Sequence, residues 1–140
     1  MKPSVERRII KLHETISKLE EIKKVGLDNF INSRFLPDAT ERLFQVSIEI
    51  LVDFGNYIIR KLKLPSPETY TETFKILCEH DILPLDMRKR LEDMARFRNR
   101  LVHGYISIDK RYLFKVLEDD LDFIKFIAKK LVETIKTIEK

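Results

Sequence analysis

Arg88-Lys89-Arg90-Leu91-Glu92-Asp93-Met94-Ala95-Arg96-Phe97-Arg98-Asn99-Arg100-Leu101-Val102-His103-Gly104 is the stretch from which both fold and chemistry can be read. Place the preceding Met87 at zero and advance about 100° per residue. Leu91, Met94, Leu101 and Val102 then fall within roughly 60° of it and make one apolar stripe. The spacing predicts a helix that starts near Pro84 and stops at Gly104. Arg98 falls at about 20°, in the middle of that stripe. Arg88, Lys89, Arg90, Arg96 and Arg100 lie at its edge or beyond. A guanidinium does not escape burial by losing its proton. Arg98 therefore needs an internal carboxylate such as Asp53 or Asp93, a second subunit, or a cleft that receives anions.

His103 stands five positions further on, just before Gly104. An imidazole at a helix C-terminus is a favourable cap. An Arg and a His in one short segment also supply what metal-free RNA cleavage requires. Histidine can take the proton of a ribose 2′-OH, and arginine can hold the charge that develops on the phosphorane. Five residues of regular helix turn by about 140°, so the two side chains do not share a face. Either the helix loosens before Gly104 or a second copy of the chain completes the site. Tyr105, seven positions from Arg98, would lie on the same side if the helix reached it. Its phenol could stack on a base, donate a hydrogen bond, accept a covalent modification, or simply pack.

Outward from this helix the pattern stays helical. Val5, Ile9, Leu12, Ile16 and Leu19 predict a first amphipathic helix ending at Gly26. Leu27 to Arg34 reads as a short helical turn or linker. A second helix starts near Pro37-Asp38 and runs to about Leu62, with apolar rows wide enough to touch several neighbours. Its polar stripe is Glu49, Asp53, Asn56 and Arg60. Lys63 to Pro67 is a loop, and Ser66-Pro67-Glu68 opens a short third helix carrying Tyr70, Phe74, Leu77 and Cys78. A long last helix begins near Tyr112. The expected fold is all-α, an antiparallel bundle of about five helices forming one domain over residues 1–140.

Composition agrees. Apolar residues are 44% and charged residues 36%, which excludes a disordered chain. Only three glycines occur, too few for a sheet-rich fold. The net charge of +4 permits an anionic partner without demanding one. The single cysteine, with no signal-like leader, fits a reducing, cytoplasmic setting. No apolar run approaches the ~20 residues of a membrane span, so no membrane partner is expected.

Arg98-Asn99-x-x-x-His103 resembles the R-x(4–6)-H motif of HEPN domains, and Arg98-x4-His103-Gly104-Tyr105 resembles the R-x4-H-x-Y signature of their HepT subgroup. Asp53-Phe54-Gly55-Asn56-Tyr57-Ile58-Ile59 resembles that subgroup's second-helix segment. Pro67-Glu68-Thr69-Tyr70-x-Glu72-x-Phe74-x-Ile76-Leu77 resembles its proline-led third helix. The resemblance implies a homodimeric helical bundle whose paired motifs line one interfacial cleft. It implies a metal-independent ribonuclease toxin acting on RNA, with no cofactor. It also implies a cognate minimal nucleotidyltransferase antitoxin that in some pairs attaches AMP to the motif tyrosine, here Tyr105. Arg98 and His103 are then catalytic and Asn99 and Tyr105 supporting. Asp53 is the acidic residue placed to orient Arg98 or His103. The alternative is a non-catalytic subunit that binds a nucleotide or nucleic acid for the nucleotidyltransferase.

Other chemistry is weak. His13 and His80 have no partner at metal-ligand spacing. Cys78 reads as core, and no glycine-rich phosphate loop exists. Lys11, Lys18, Lys23 and Lys24 read most simply as a solvated helix face, the alternative being an extension of an RNA-binding surface.

Overall fold

The computed structural model describes residues 1–103 and 108–140. Six α-helices occur among them: α1 (Pro3–Lys24), α2 (Leu27–Asn32), α3 (Leu36–Lys61), α4 (Tyr70–Glu79), α5 (Arg88–His103) and α6 (Lys110–Ile138). The short helical turn or linker expected after the first helix is a helical segment, α2. Gly26 follows the C-cap Val25 and ends α1 as expected, and with φ +85° it also precedes α2, a backbone turn open to glycine at little cost. Phe30 of α2 is fully buried against Phe114 of α6, their centroids 5.1 Å apart, and this contact keeps so short a helix folded.

Helix starts move by a few residues from the expected ones, each for a local reason. α4 begins at Tyr70 because Thr69 is its cap: the Thr69 hydroxyl accepts the Glu72 N–H, and the Glu72 carboxylate accepts the Glu68 N–H. The hydroxyl satisfies one orphan donor of the helix, and the carboxylate reaches back past the cap to hold the residue before it. Pro84 caps a single 3₁₀ turn, Leu85–Met87, before α5 proper begins at Arg88. Asp109 caps α6 by accepting the Tyr112 N–H, which sets its start at Lys110.

α3 is the axle of the fold and packs against α1, α4, α5 and α6. Its Phe44, Ile48, Leu51, Phe54 and Ile58 are all but inaccessible to water. Each such side chain contributes roughly 1.5–3 kcal/mol by leaving water. Phe44 meets Phe97 of α5 edge to face, centroids 5.9 Å apart. At Gly55 the backbone of α3 comes so close to α4 that an added Cβ would lie 2.8 Å from Leu77 Cδ1 and 2.9 Å from Thr73 Cγ2. These contacts fix α5 across α3 and place the N-terminus of α4 beside both. Among the described residues no helix is long and apolar enough to cross a membrane.

Candidate active site

Arg98 leaves α5 toward α3 and is 18% exposed, as its place in the apolar stripe requires. Its partner is Glu49. Arg98 Nε donates to Glu49 Oε1 at 3.0 Å and Nη2 donates to the same oxygen at 2.7 Å. Gln45, one turn earlier on α3, donates to that oxygen as well, at 3.1 Å. Burial pushes the Glu49 carboxyl up, but the hydrogen bonds from Arg98 and Gln45, with the charges of Arg98 and Arg42, outweigh it and hold the group below its ordinary value. Glu49 is therefore a carboxylate near neutral pH, and the buried guanidinium is matched by an opposite charge.

The guanidinium carbon also stands 4.5 Å from the centroid of the Tyr70 ring. Such a contact contributes about 0.5–2 kcal/mol and sets the plane of the guanidinium. Tyr70 is the first residue of α4, so the Thr69–Glu72 cap that starts the helix also places the ring. Nη1 donates to Asn99 Oδ1 at 3.4 Å. Arg98 is thus gripped by a carboxylate on one edge, backed by an aromatic face, and bordered by an amide.

Asp53, expected to orient Arg98 or His103, does neither. It accepts from Arg8 Nε of α1 at 3.0 Å, one turn along α3 from Glu49. The two acids occupy the same polar stripe. The crossing of α5 over α3, set by Phe44 against Phe97, brings Arg98 to the earlier turn. Asp93 is likewise engaged elsewhere, accepting from Arg96 at 2.7 Å. Glu49 shares the polar stripe of α3 with Asp53, and Tyr70 shares the register of Phe74 and Leu77 in α4, so the spacing of neither marks it as a partner of Arg98. A cation in the apolar stripe demanded a carboxylate, yet only the helix crossing says which one.

α5 remains α-helical through His103, its last residue, which is exposed. The loosening considered before Gly104 does not occur within the described residues. Arg98 and His103 of one chain therefore point about 140° apart around the axis. Tyr105 lies outside the described residues. The arrangement offers a fixed, charge-matched arginine and a solvent-facing imidazole on one helix. This suits anion binding and proton transfer, provided the two are brought to one phosphate.

Comparisons with known proteins bear on the family and the fold. A family model described as "Ribonuclease HepT-like" matches residues 12–131. The chain is 26% identical over 136 residues to the "tRNA nuclease HepT" of Aphanizomenon flos-aquae, covering 97% of this chain and 92% of that one. It is 24% identical over 121 residues to the "mRNA nuclease HepT" of Shewanella oneidensis, covering 86% and 90%. Its fold is similar to a solved structure of a tri-AMPylated Shewanella oneidensis HEPN toxin in complex with an MNT antitoxin, with a TM-score of 0.84 at 20% identity, covering 95% of this chain and 99% of that one. A toxin–antitoxin structure with AMP-PNP superposes with a TM-score of 0.83 at 19% identity, covering 94% and 99%.

Proposed function

The chain belongs to the ribonuclease HepT-like family, and from that premise we propose that it is an endoribonuclease toxin in which Arg98 and His103 cleave RNA without a metal ion. The observation that carries this reading is Arg98 itself, a charged side chain held between Glu49 and Tyr70 at the first position of the R-x4-H motif. His103 takes the proton of the ribose 2′-OH as that oxygen attacks the adjacent phosphorus. Arg98 hydrogen-bonds the phosphorane oxygens as their charge grows, and Asn99 adds an amide beside it. The bond to the 5′-oxygen breaks, that oxygen takes up a proton, and a 2′,3′-cyclic phosphate remains on the upstream fragment.

The divergence of Arg98 and His103 calls for a second copy of the chain, so that the cleft lies between two protomers and each contributes part of it. Relatives named for tRNA and for mRNA support RNA as the substrate class. Toxin–antitoxin structures of the same fold support a nucleotidyltransferase antitoxin as the partner that silences the cleft, by complex formation or by AMP attached to Tyr105.

Incubation with RNA in EDTA tests the nuclease reading. The wild type yields fragments ending in 2′,3′-cyclic phosphate, and Arg98→Ala and His103→Ala yield none. Equal cleavage by the double variant would overturn it.

A further inference from the structure

We propose that the groove between α1 and α3 is a subsite for the sugar–phosphate backbone of the RNA strand that leads away from Arg98. The proposal rests on the nuclease reading above for the identity of its ligand, and on the geometry of the groove for its place. A cavity of about 380 Å³ opens there, lined among others by Ser4, Arg8, Asp53, Asn56 and Arg60. It begins one turn along α3 from Glu49, the residue that holds Arg98. From Glu49 to Arg60 the polar stripe of α3 runs about 16 Å.

Charge gives the groove its sense. Arg8 spends Nε on Asp53 at 3.0 Å and Nη1 on the Ser4 carbonyl at 3.2 Å, which neutralises the one acid in the cavity wall. Its side chain remains 45% exposed, and among the described residues Nη2 makes no hydrogen bond. Arg60 is exposed on the same wall. Past it, the ammonium groups of Lys2 and Lys61 stand 5.6 and 5.7 Å from the ring of Tyr57, which also lines the cavity. Cations thus recur from Arg98 through Arg8 and Arg60 to Lys2 and Lys61, with Glu49 paired to the first, Asp53 to the second and Glu139 beside the last. Aligned arginines and lysines along a groove are the electrostatic footprint of a nucleic-acid strand.

The larger groove between α1 and α6, about 650 Å³, is also cationic, with Lys125, Lys129 and Lys136 against Glu20 and Glu133. Its walls, however, are the apolar Ile9, Leu12, Ile16, Ala128 and Val132, and none of its lining residues belongs to the α3 stripe that leads from Arg98. The pocket between α5 and α6, about 240 Å³, carries two carboxylates, Asp93 and Asp120, against the single Arg90.

Fluorescence anisotropy with an RNA of about 12 nucleotides tests the subsite. The RNA is fully 2′-O-methylated, so it lacks the attacking hydroxyl, and binding is read apart from cleavage. Each neutralised phosphate contributes about 0.7 to the salt slope of a single strand, so Arg8→Ala with Arg60→Ala should flatten the slope by about 1.4. Affinity at low salt should fall at least about tenfold, while a trinucleotide loses little. Arg8→Lys with Arg60→Lys should restore the slope, which separates lost charge from lost fold. Lys129→Ala with Lys136→Ala, in the α1–α6 groove, should leave it unchanged. No binding by the wild type, an unchanged slope in the arginine variant, or an equal loss in the lysine control would overturn the subsite. Absence of cleavage of unmodified RNA would instead overturn the nuclease reading and leave this measurement standing.

Discussion

Arg98 and Glu49, 49 residues apart in the chain, meet through two guanidinium nitrogens on one carboxylate oxygen, at 3.0 and 2.7 Å. The pair ties α5 to α3 at the motif and sets the arginine before any substrate arrives.

Glu49→Gln removes the charge and keeps the shape. Arg98 is then part-buried against a neutral amide, and the fold should lose about 1–3 kcal/mol in urea unfolding. RNA cleavage should fall by about 10²-fold as the guanidinium loses its set position. The pH dependence follows from the lowered pKa of Glu49. A carboxyl held below its ordinary 4.5 in the fold stabilises above that value, and the gain is lost as pH falls through the folded pKa. The stability gap between wild type and Glu49→Gln should therefore narrow as the buffer is taken below 4.5. A gap constant across that range would mean Glu49 titrates alike in the folded and unfolded chains.

Tyr70 offers its ring face rather than its hydroxyl to Arg98. Tyr70→Phe should hold single-turnover cleavage within about twofold. Tyr70→Leu should slow it about fivefold, the equivalent of roughly 1 kcal/mol. A large loss with Phe would shift the role to the phenol oxygen.

Mixing inactive variants reads out the two-chain site. If each site takes Arg98 from one protomer and His103 from the other, random mixing of Arg98→Ala with His103→Ala makes about half the dimers mixed, each with one intact site. About a quarter of wild-type activity should return. No return would place both groups in one chain's site.

Gly55→Val should melt well below the wild type, by about 1–3 kcal/mol of overpacking against Leu77 and Thr73. Because α4 carries Tyr70, cleavage in the still-folded fraction should fall as well. Thermal melts followed by circular dichroism, paired with activity per folded molecule, separate the two effects.

The helices were legible because their apolar spacing is local. Leu91 and Met94 fix the buried face of α5, with Leu101 partly buried and Val102, expected in the same stripe, exposed at the end of the helix, and Arg98 declares itself by standing in that face. What resisted reading was set by contacts distant in the chain. Glu49 and Asp53 are equivalent within α3, one turn apart on one face, and only the packing of Phe44 against Phe97 assigns the first to Arg98 and the second to Arg8. Tyr70 shares the register of Phe74 and Leu77 in α4, and that register says nothing of the guanidinium beside it. The start of α4 was legible in principle, since Thr69-x-x-Glu72 is a capping box, but the prolines before it drew the boundary forward.

All three hydrogen bonds to the Glu49 carboxylate, two from Arg98 and one from Gln45, converge on Oε1. An oxygen so crowded gives up one donor at little loss, because the remaining two shorten and strengthen. A phosphate reaching Arg98 can thus draw Nη2 away while Nε stays anchored. On the proposed nuclease reading, engagement becomes an exchange of one contact for another, with Nε still holding the arginine to α3.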